Sequence, residues 1–342
     1  MKLCAFSVNL CETNFMKAQI KTIAIFTSGG DSPGMNAAVR AVVRTALHHG
    51  IKVFGILYGY DGMIKGEFIP LDATSVSGII QRGGTILKTA RSQRFMTAEG
   101  MKEATAQLKK HKIDAVVAIG GDGTFKGALE FYSICKIPFV GLPGTIDNDL
   151  AGSDFTIGYD TAVNTVIQAV DKIRDTAESH DRLFFVEVMG RDAGLIALNS
   201  GIGVGAEAIL IPETKTYIDD LIKLLQKGWK RKKSSYIIIV AEGDDAGGAY
   251  AVAEKVKAKF DKLDTRISVL GHLQRGGNPT ANDRLLATRM GFEAVKALVN
   301  GKKNVMVGIV DKKVTFTPFS KAVKYHAKPD KSLMEMVNIL SA

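Results

Sequence analysis

Short apolar runs of strand length alternate along the chain with segments of helical periodicity. Nine runs are predicted as strands, at residues 23–28, 53–57, 115–119, 139–142, 183–189, 208–211, 236–241, 267–270 and 305–310. Predicted helices lie between most of them, for example at residues 36–49, 97–111, 161–179 and 218–229. Because most strands are apolar throughout rather than at alternate positions, we expect both faces of each sheet to be buried. This alternation predicts an α/β protein with mainly parallel sheets.

The chain is predicted to form two Rossmann-like lobes, each a mainly parallel sheet flanked by helices. Its 342 residues suffice for two cores. The long helix predicted at residues 161–179 marks the division, with a first lobe at 21–160 and a second at 161–300. Residues 301–342 are expected to return to the first lobe. Residues 1–20 do not join the pattern, and we expect a poorly ordered extension there.

The composition is that of a cytoplasmic enzyme rather than a membrane protein. Hydrophobic residues make up 46% of the chain and charged residues 23%. No apolar run approaches the roughly 18–20 residues needed to span a bilayer. The three cysteines, Cys4, Cys11 and Cys135, have neither a paired framework nor metal-ligand spacing. This usage favours a reducing cytoplasm.

A net charge of +10 is compatible with nucleic acid, an anionic membrane surface or small anionic substrates as partners. The one dense basic run, at residues 230–233, follows a predicted helix and is interpreted as a solvated helix end. A single tryptophan and 7% aromatic residues offer little for base stacking. Small anionic substrates are therefore favoured, with neither nucleic acid nor membrane as a partner.

Two glycine–aspartate segments, at residues 120–124 and 143–149, each follow a predicted strand directly. Glycine there lets backbone N–H groups approach a phosphate closely. The aspartates that follow, Asp122, Asp147 and Asp149, can hold a hard metal ion or accept a proton. Structural alternatives are a tight turn at Asp122 and helix capping at the other two. The pair of segments indicates a site for a metal-bound polyphosphate and an alcohol, as in a sugar kinase.

Neither these two segments nor the glycine turn at residues 27–36 matches a common nucleotide-binding motif. In that turn, Met35 and Asn36 replace the Lys-Ser/Thr of a P-loop. In the segment after residue 119, Lys126 stands where a dinucleotide motif has its third glycine. Phosphate can still bind at a glycine turn that opens a helix.

Five motifs in order resemble those of the bacterial 6-phosphofructokinase family. They are Thr-Ser-Gly-Gly-Asp at 27–31, Gly-Gly-Asp-Gly-Thr at 120–124, Pro-Gly-Thr-Ile-Asp-Asn-Asp at 143–149, Met-Gly-Arg at 189–191 and Gly-His-Leu-Gln-Arg-Gly-Gly at 271–277. The resemblance runs from about residue 22 to past 310. It implies transfer of the ATP γ-phosphoryl group to the 1-hydroxyl of fructose 6-phosphate, with Mg²⁺. The first lobe would then bind ATP and the metal, and the second the sugar phosphate.

The resemblance also implies the roles of individual residues. Asp147 matches the general base, Thr145 contacts the transferring phosphoryl group, Arg191 stabilises its charge, and Asp149 lies near the metal. The implied nucleotide positions are Gly30, Arg91, Ser92, Gly121, Asp122, Gly123 and Thr124, with Asp122 as the metal ligand. The implied fructose 6-phosphate positions are Thr145, Ile146, Asp147, Arg182, Met189, Gly190, Arg191, Glu242, Arg266, His272, Leu273, Gln274 and Arg275.

Assembly and regulation are implied in the same way. Arg182 and Arg266 match residues that reach in from a neighbouring subunit, which implies a homotetramer with shared active sites. Without the resemblance, both would be interpreted as surface ion-pairing residues, and His272 as a structural histidine. The implied site for ADP or phosphoenolpyruvate effectors comprises Arg40, Arg44, Arg174, Glu207 and Lys233. A further arginine of that site is Ala73 here, so we expect weaker binding of an anionic effector.

Two glycines favour ATP as the phosphoryl donor. Pyrophosphate-dependent relatives carry Asp and Lys where this chain has Gly123 and Gly144. A side chain at position 123 would crowd the α-phosphate of a nucleotide. Ser92 stands where the well-studied enzymes have an aromatic residue near the nucleotide, so donor affinity is expected to differ.

Three other functions are alternatives. The first is a pyrophosphate-dependent phosphofructokinase. The second is an NAD or lipid kinase, which shares the Gly-Gly-Asp-Gly turn but lacks the motifs at 143–149 and 271–277. The third is a non-catalytic nucleotide sensor or nucleic-acid binder on the same fold, against which the presence of Asp147 and Arg191 argues.

Overall fold

Two β-sheets organise the chain in a computed structural model, which describes residues 20–323 and 331–340. The strands are β1 (Thr22–Thr27), β2 (Lys52–Ile56), β3 (Phe68–Leu71), β4 (Ala115–Gly120), β5 (Phe139–Pro143), β6 (Arg182–Val188), β7 (Ala208–Leu210), β8 (Tyr236–Ala241), β9 (Asp264–Val269), β10 (Val305–Val310) and β11 (Lys313–Pro318). The extension predicted at residues 1–20 lies outside the described residues except for Ile20.

Helices connect most of these strands. They are α1 (Met35–His48), α2 (Gly59–Lys65), α3 (Ala98–Lys110), α4 (Asp122–Cys135), α5 (Tyr159–Ser179), α6 (Leu195–Gly203), α7 (Ile218–Lys230), α8 (Gly248–Lys257), α9 (Ala281–Val299) and α10 (Lys331–Leu340). Short 3₁₀ turns occupy Arg94–Met96 and Gly271–Arg275. Among the described residues, no helix has both the length and the apolar character that crossing a bilayer requires.

The first sheet has seven strands in the order β11-β10-β5-β4-β1-β2-β3. Its five central strands are parallel, and the two edge strands, β3 and β11, are antiparallel to their neighbours. Thr27 of β1 lies opposite Ile119 of β4, and Gly120 lies opposite Pro143 of β5. Because parallel strands end at the same edge of a sheet, this register brings the glycine turns together.

The second sheet has four parallel strands in the order β7-β8-β6-β9. Val188 of β6 lies opposite Ala241 of β8, while Glu187 lies opposite Val269 of β9. The segments that begin at residues 189, 242 and 270 therefore leave the sheet side by side. Two sheets, mainly parallel and flanked by helices, confirm the predicted α/β fold class.

Burial explains which strands were predictable. β1, β4, β5 and β8 are buried along their whole length, as continuous apolarity predicts. β3 and β11 are not among the predicted strands, because each lies at a sheet edge, pairs on one side only and contains a proline. β9 begins at Asp264, earlier than predicted, since its polar first half lies on an exposed edge.

The C-terminal third of the chain contributes to the first sheet. β10 and β11 extend it beside β5. Helix α9 packs against α1, and its Ala287, Met290 and Ala294 belong to the core that includes Ile25 and Val117. The predicted boundary at residue 300 leaves α9 in the second lobe, whereas this packing associates it with the first sheet. The division into lobes stays a prediction.

Candidate active site

A cavity of about 650 Å³ opens where β1, β4 and β5 end. It collects residues from the glycine turns, from the 90–101 region and, with Arg191 and Arg275, from segments that follow strands of the second sheet. Among the residues predicted from the sequence, those that line it are Gly30, Arg91, Ser92, Gly121, Asp122, Gly123, Thr124, Thr145, Asp147, Asp149, Arg191 and Arg275. The implied nucleotide positions thus share one cavity with the implied catalytic residues.

The turn after β4 leaves the start of helix α4 open to the cavity. A β-carbon at Gly120 would lie 2.6 Å from the Ser28 carbonyl oxygen, so glycine is required for this close approach. The helix begins at Asp122, and its N-cap residue, Gly121, provides no side-chain cap. A β-carbon at Gly123 would meet no atom within 4 Å. The Thr124 and Phe125 N–H groups bond to the Gly121 carbonyl at 3.0 and 3.2 Å, so it is the open space beside Gly123, at the start of the helix, that a phosphate group can fill.

Asp122 lies at the mouth of this turn and is paired with a lysine. Its Oδ2 is 2.6 Å from Lys126 Nζ, one helical turn further on, and the two side chains are 21% and 61% exposed. Within the described residues, no group of three or more His, Cys, Asp or Glu side chains is arranged to hold a metal ion. Mg²⁺ commonly uses one or two carboxylates together with substrate phosphates and water. The accessible carboxylate beside an open helix start fits a magnesium ion that arrives with a polyphosphate.

The loop after β5 holds two buried aspartates. Asp147 is 3% exposed and Asp149 is 7% exposed, and both line the cavity. The Asp147 backbone N–H donates to Thr145 Oγ1 at 3.2 Å. Asn148 between them has the left-handed conformation with φ of 53°. The two carboxylates therefore line one cavity on a bent loop whose turn is made at Asn148.

Asn148 and Thr156, which are not among the predicted site residues, fix the conformation of this loop. The Asn148 side chain donates to the Asp154 carbonyl at 3.0 Å and accepts from the Thr156 N–H at 2.7 Å. Thr156 Oγ1 donates to the Thr145 carbonyl at 2.6 Å. Sequence proximity was the only signal, because these contacts depend on how the 148–157 segment folds back.

Arg191 reaches the catalytic loop from the second sheet. Its Nε lies 3.6 Å from Asp147 Oδ2. Glu242 accepts the N–H groups of Gly190 and Arg191 at 3.3 and 2.8 Å, and Gln274 accepts that of Met189 at 3.2 Å. These two side chains thus fix the turn that carries Arg191.

Arg275 crosses to the first glycine turn, where its Nη1 donates to the Asp31 carbonyl at 3.3 Å. His272 and Leu273 of the same 3₁₀ turn are exposed and do not line the cavity.

Ile146 is fully buried in the hydrophobic core around α5 and β6, so its side chain is unavailable to a ligand. Any contact it makes with substrate would come from its backbone.

Arg182 and Arg266 lie away from the cavity. Both pair with Asp264, at 2.9 and 2.8 Å. Arg182 is the first residue of β6, and Arg266 of β9 lies opposite Phe184. Both are therefore near the N-terminal end of β6, whereas the cavity lies at its C-terminal end. Within one chain they form the surface ion pairs that their chemistry alone suggests.

The implied effector residues divide into two groups. Glu207 is buried, pairs with Lys233 at 2.7 Å and accepts the Ile237 N–H. Arg174 donates to the Val204 carbonyl at 2.6 Å, close to Glu207 in the chain. Arg40 and Arg44 lie on α1, which packs against α9.

An apolar wall of the cavity was not anticipated. Tyr60 and Phe95 stack with ring centroids 3.9 Å apart, and both line the cavity with Met96. Burial raises the pKa of Tyr60 well above its ordinary value, so the neutral hydroxyl donates to the Thr124 carbonyl at 2.7 Å. Met96 is 78% exposed. Because Tyr60 and Phe95 are buried against each other, Met96 is the part of this wall that offers accessible apolar surface to a heteroaromatic base.

Comparison with known families and curated proteins gives concordant matches. The family profile described as Phosphofructokinase matches residues 22–298. The ATP-dependent 6-phosphofructokinase 2 of Bacteroides thetaiotaomicron is 54% identical, over 94% of this chain and 98% of its own length. The ATP-dependent 6-phosphofructokinase 1 of Thermus thermophilus is 52% identical, over 94% of this chain and its full length.

Solved structures agree on the fold. The phosphofructokinase of Saccharomyces cerevisiae superposes with a TM-score of 0.85 at 38% identity, and the match covers 94% of this chain and 47% of the yeast chain. The pyrophosphate-dependent phosphofructokinase of Marinobacter aquaeolei superposes with a TM-score of 0.82, covering 94% of this chain and 92% of the other. At 22% identity the second match establishes the fold alone.

Proposed function

The chain belongs to the phosphofructokinase family, and we propose that it transfers the γ-phosphoryl group of ATP to the 1-hydroxyl of fructose 6-phosphate. The products are fructose 1,6-bisphosphate and ADP, and the reaction belongs to glycolysis. One observation carries the proposal. A single cavity contains an open helix start for a polyphosphate and, beside it, the buried Asp147 paired with Arg191.

The catalytic loop supplies the proton acceptor. Asp147 is proposed to accept the proton of the 1-hydroxyl as that oxygen attacks the γ-phosphorus. Its burial and the contacts around Asn148 and Thr156 hold the carboxylate in place before the substrate arrives. Thr145 follows β5, which is the neighbour of the strand that precedes α4, and it lines the same cavity. It is therefore positioned to contact the phosphoryl group.

Arg191 supplies the positive charge of the same step. In the structure it pairs with Asp147, and its side chain is 52% exposed and therefore has room to move. On the transferring phosphoryl group it stabilises the charge that develops in the transition state. Asp122 would hold a magnesium ion delivered with the nucleotide, with Asp149 nearby, and that ion would neutralise phosphate charge.

ATP is the proposed donor. The open space at Gly123 accommodates a nucleotide α-phosphate, and the exposed Met96 on the apolar wall provides a surface for a base. At Gly144, a β-carbon would lie 2.9 Å from Ile119 Cγ2 and 3.0 Å from Met35 Cε, so the lysine of pyrophosphate-dependent relatives has no room there. The similar proteins from Bacteroides and Thermus are both named as ATP-dependent.

Assembly, regulation and location complete the proposal. A homotetramer is proposed in which Arg182 and Arg266 serve the active site of a neighbouring subunit, consistent with their position outside this chain's cavity. ADP or phosphoenolpyruvate is proposed as an effector at the site of Arg174, Glu207 and Lys233, weakened by Ala73. The proposed location is the cytoplasm.

A coupled assay tests the donor and the acceptor together. Purified protein is given fructose 6-phosphate with Mg²⁺ and either ATP or pyrophosphate, and product is measured through aldolase. We expect turnover with ATP and little with pyrophosphate. Faster turnover with pyrophosphate would reassign the donor, and binding of ATP without turnover would favour the non-catalytic sensor. Repeating the assay with ADP or phosphoenolpyruvate tests regulation.

A further inference from the structure

Lys126 has no role in the reaction described above, yet it lies in the cavity against the proposed metal ligand. It stands one turn along α4 from Asp122, so the two side chains share a helix face. Its Nζ approaches Asp122 Oδ2 to 2.6 Å, and both residues line the cavity. The ammonium group thus sits at the carboxylate oxygen that a magnesium ion would also approach.

We propose that Lys126 is a nucleotide-binding residue that holds Asp122 in the unliganded protein and moves to the phosphates when a metal–nucleotide complex binds. This inference rests on the proposed function, because it takes a polyphosphate nucleotide as the ligand. It assigns to Lys126 two successive anionic partners, first the Asp122 carboxylate and then the phosphate chain.

Electrostatic repulsion is the reason that the lysine must move. An ammonium group and a divalent cation cannot both lie against one carboxylate oxygen without strong mutual repulsion. Lys126 is free to leave, since its side chain is 61% exposed and an exposed ion pair contributes little stability. Asp122 is then released to the metal.

Along helix α4, the released ammonium group has two anionic destinations. Glu130, one turn further along α4, also lines the cavity. The phosphates that bind at the open helix start carry more charge and lie toward Asp122, where the ammonium group already is. The geometry favours the phosphates, and Glu130 is the competing destination that the experiment must distinguish.

Nucleotide affinity with and without metal separates these possibilities. Isothermal titration calorimetry would measure Kd for MgATP and for ATP in EDTA, using the wild type, Lys126→Met, Lys126→Arg and Lys110→Met. The methionine retains the aliphatic stem and removes only the charge. Lys110 is an exposed lysine near the end of α3 that does not line the cavity, so it is the matched control.

We expect Lys126→Met to raise Kd for MgATP by about tenfold, the loss that corresponds to one charge-assisted hydrogen bond. Metal-free ATP should lose more affinity, because Asp122 would then face the phosphates without any compensating cation. Lys126→Arg should restore most of the MgATP affinity, and Lys110→Met should match the wild type.

Three results would overturn the inference. An unchanged Kd for MgATP in Lys126→Met would mean that the lysine does not contact the phosphates, and that its ammonium group is solvated or pairs with Glu130. Tighter MgATP binding would make it only a competitor of the metal. Failure of Lys126→Arg to recover affinity would exclude a charge contact. If the wild type binds no MgATP, the proposed function itself fails, which is a different result from any of these.

Discussion

The turn after β4 and the turn after β5 lie side by side but differ in how tightly they are packed. The first opens α4 to the cavity, with nothing within 4 Å of a β-carbon at Gly123 and with Asp122 21% exposed. The second is closed, because Gly144 is enclosed by Ile119 and Met35, and Asp147 is 3% exposed. An adaptable turn suits binding of a variable ligand, whereas a rigid one suits chemistry.

This contrast follows from the contacts that hold each aspartate. Asp122 is at the start of a helix and pairs with an exposed lysine. Asp147 lies in a loop whose backbone is fixed by Asn148 and Thr156. Preorganised groups cost no rearrangement at the moment of reaction. Substitutions in the closed turn should therefore affect kcat, and those in the open turn KM for the nucleotide.

The largest effect is expected at the closed turn. Asp147→Ser should lower kcat by about 10²–10⁴-fold, because the proton acceptor is removed. KM values should change little, since Arg191 and the glycine turns remain. Steady-state kinetics with ATP and fructose 6-phosphate would measure both constants.

A second variant and a control make this result specific. Asp147→Asn keeps the shape of the side chain and should show a comparable loss of kcat. Asp171→Asn, an exposed aspartate on α5, should behave like the wild type. Wild-type kcat in either Asp147 variant would refute the assignment of the general base.

The fold and the position of the closed turn were predictable from sequence for the same physical reason. A strand buried on both faces must be apolar throughout, so β4 and β5 are visible, and the polar residues that follow them mark the sheet edge. The Asp147 and Arg191 roles came from motifs that resemble a family. Sequence alone could not show that Asn148 and Thr156 hold the loop, because their partners depend on tertiary folding.

The open turn was less predictable. The spacing of Asp122 and Lys126 predicts that they share one face of a helix. That face becomes a wall of the cavity only because the 90–96 segment packs beside α4, which the sequence does not show. The edge strands β3 and β11 also escaped prediction, because each contains a proline, which in a sequence argues against a strand and is tolerated only at a sheet edge.

The second-largest effect is expected at the open turn. Gly123→Asp should raise KM for ATP by roughly 10- to 100-fold, because a carboxylate would oppose the nucleotide phosphates. The fold should tolerate it, since a β-carbon there meets no atom within 4 Å. Kinetics with ATP and with pyrophosphate would measure the change in donor preference, and thermal unfolding would check the fold. An unchanged KM for ATP would mean that the phosphates lie elsewhere.

A pair of alanine substitutions tests the packing difference directly. Gly144→Ala should lower the free energy of unfolding by about 1–3 kcal/mol, because the added methyl group would crowd Ile119 and Met35. Gly123→Ala, the matched control in helix α4, should leave stability unchanged or raise it by up to about 1 kcal/mol. Urea denaturation followed by circular dichroism would measure both. Equal stability changes in the two variants would contradict the contrast between the turns.

The smallest effect is expected at Met96, on the outer wall of the open side. Its side chain is 78% exposed and lines the cavity beside the Tyr60–Phe95 stack. If the base of ATP lies on this wall, Met96→Ala removes part of the apolar area that it covers. KM for ATP should then rise about two- to fivefold, while kcat and KM for fructose 6-phosphate stay constant. Val299→Ala, an exposed apolar residue at the end of α9 outside the cavity, should change none of these constants. A change in kcat at Met96 would instead link the open side to the chemistry of the closed turn, and the separation between adaptable binding and rigid catalysis would not hold.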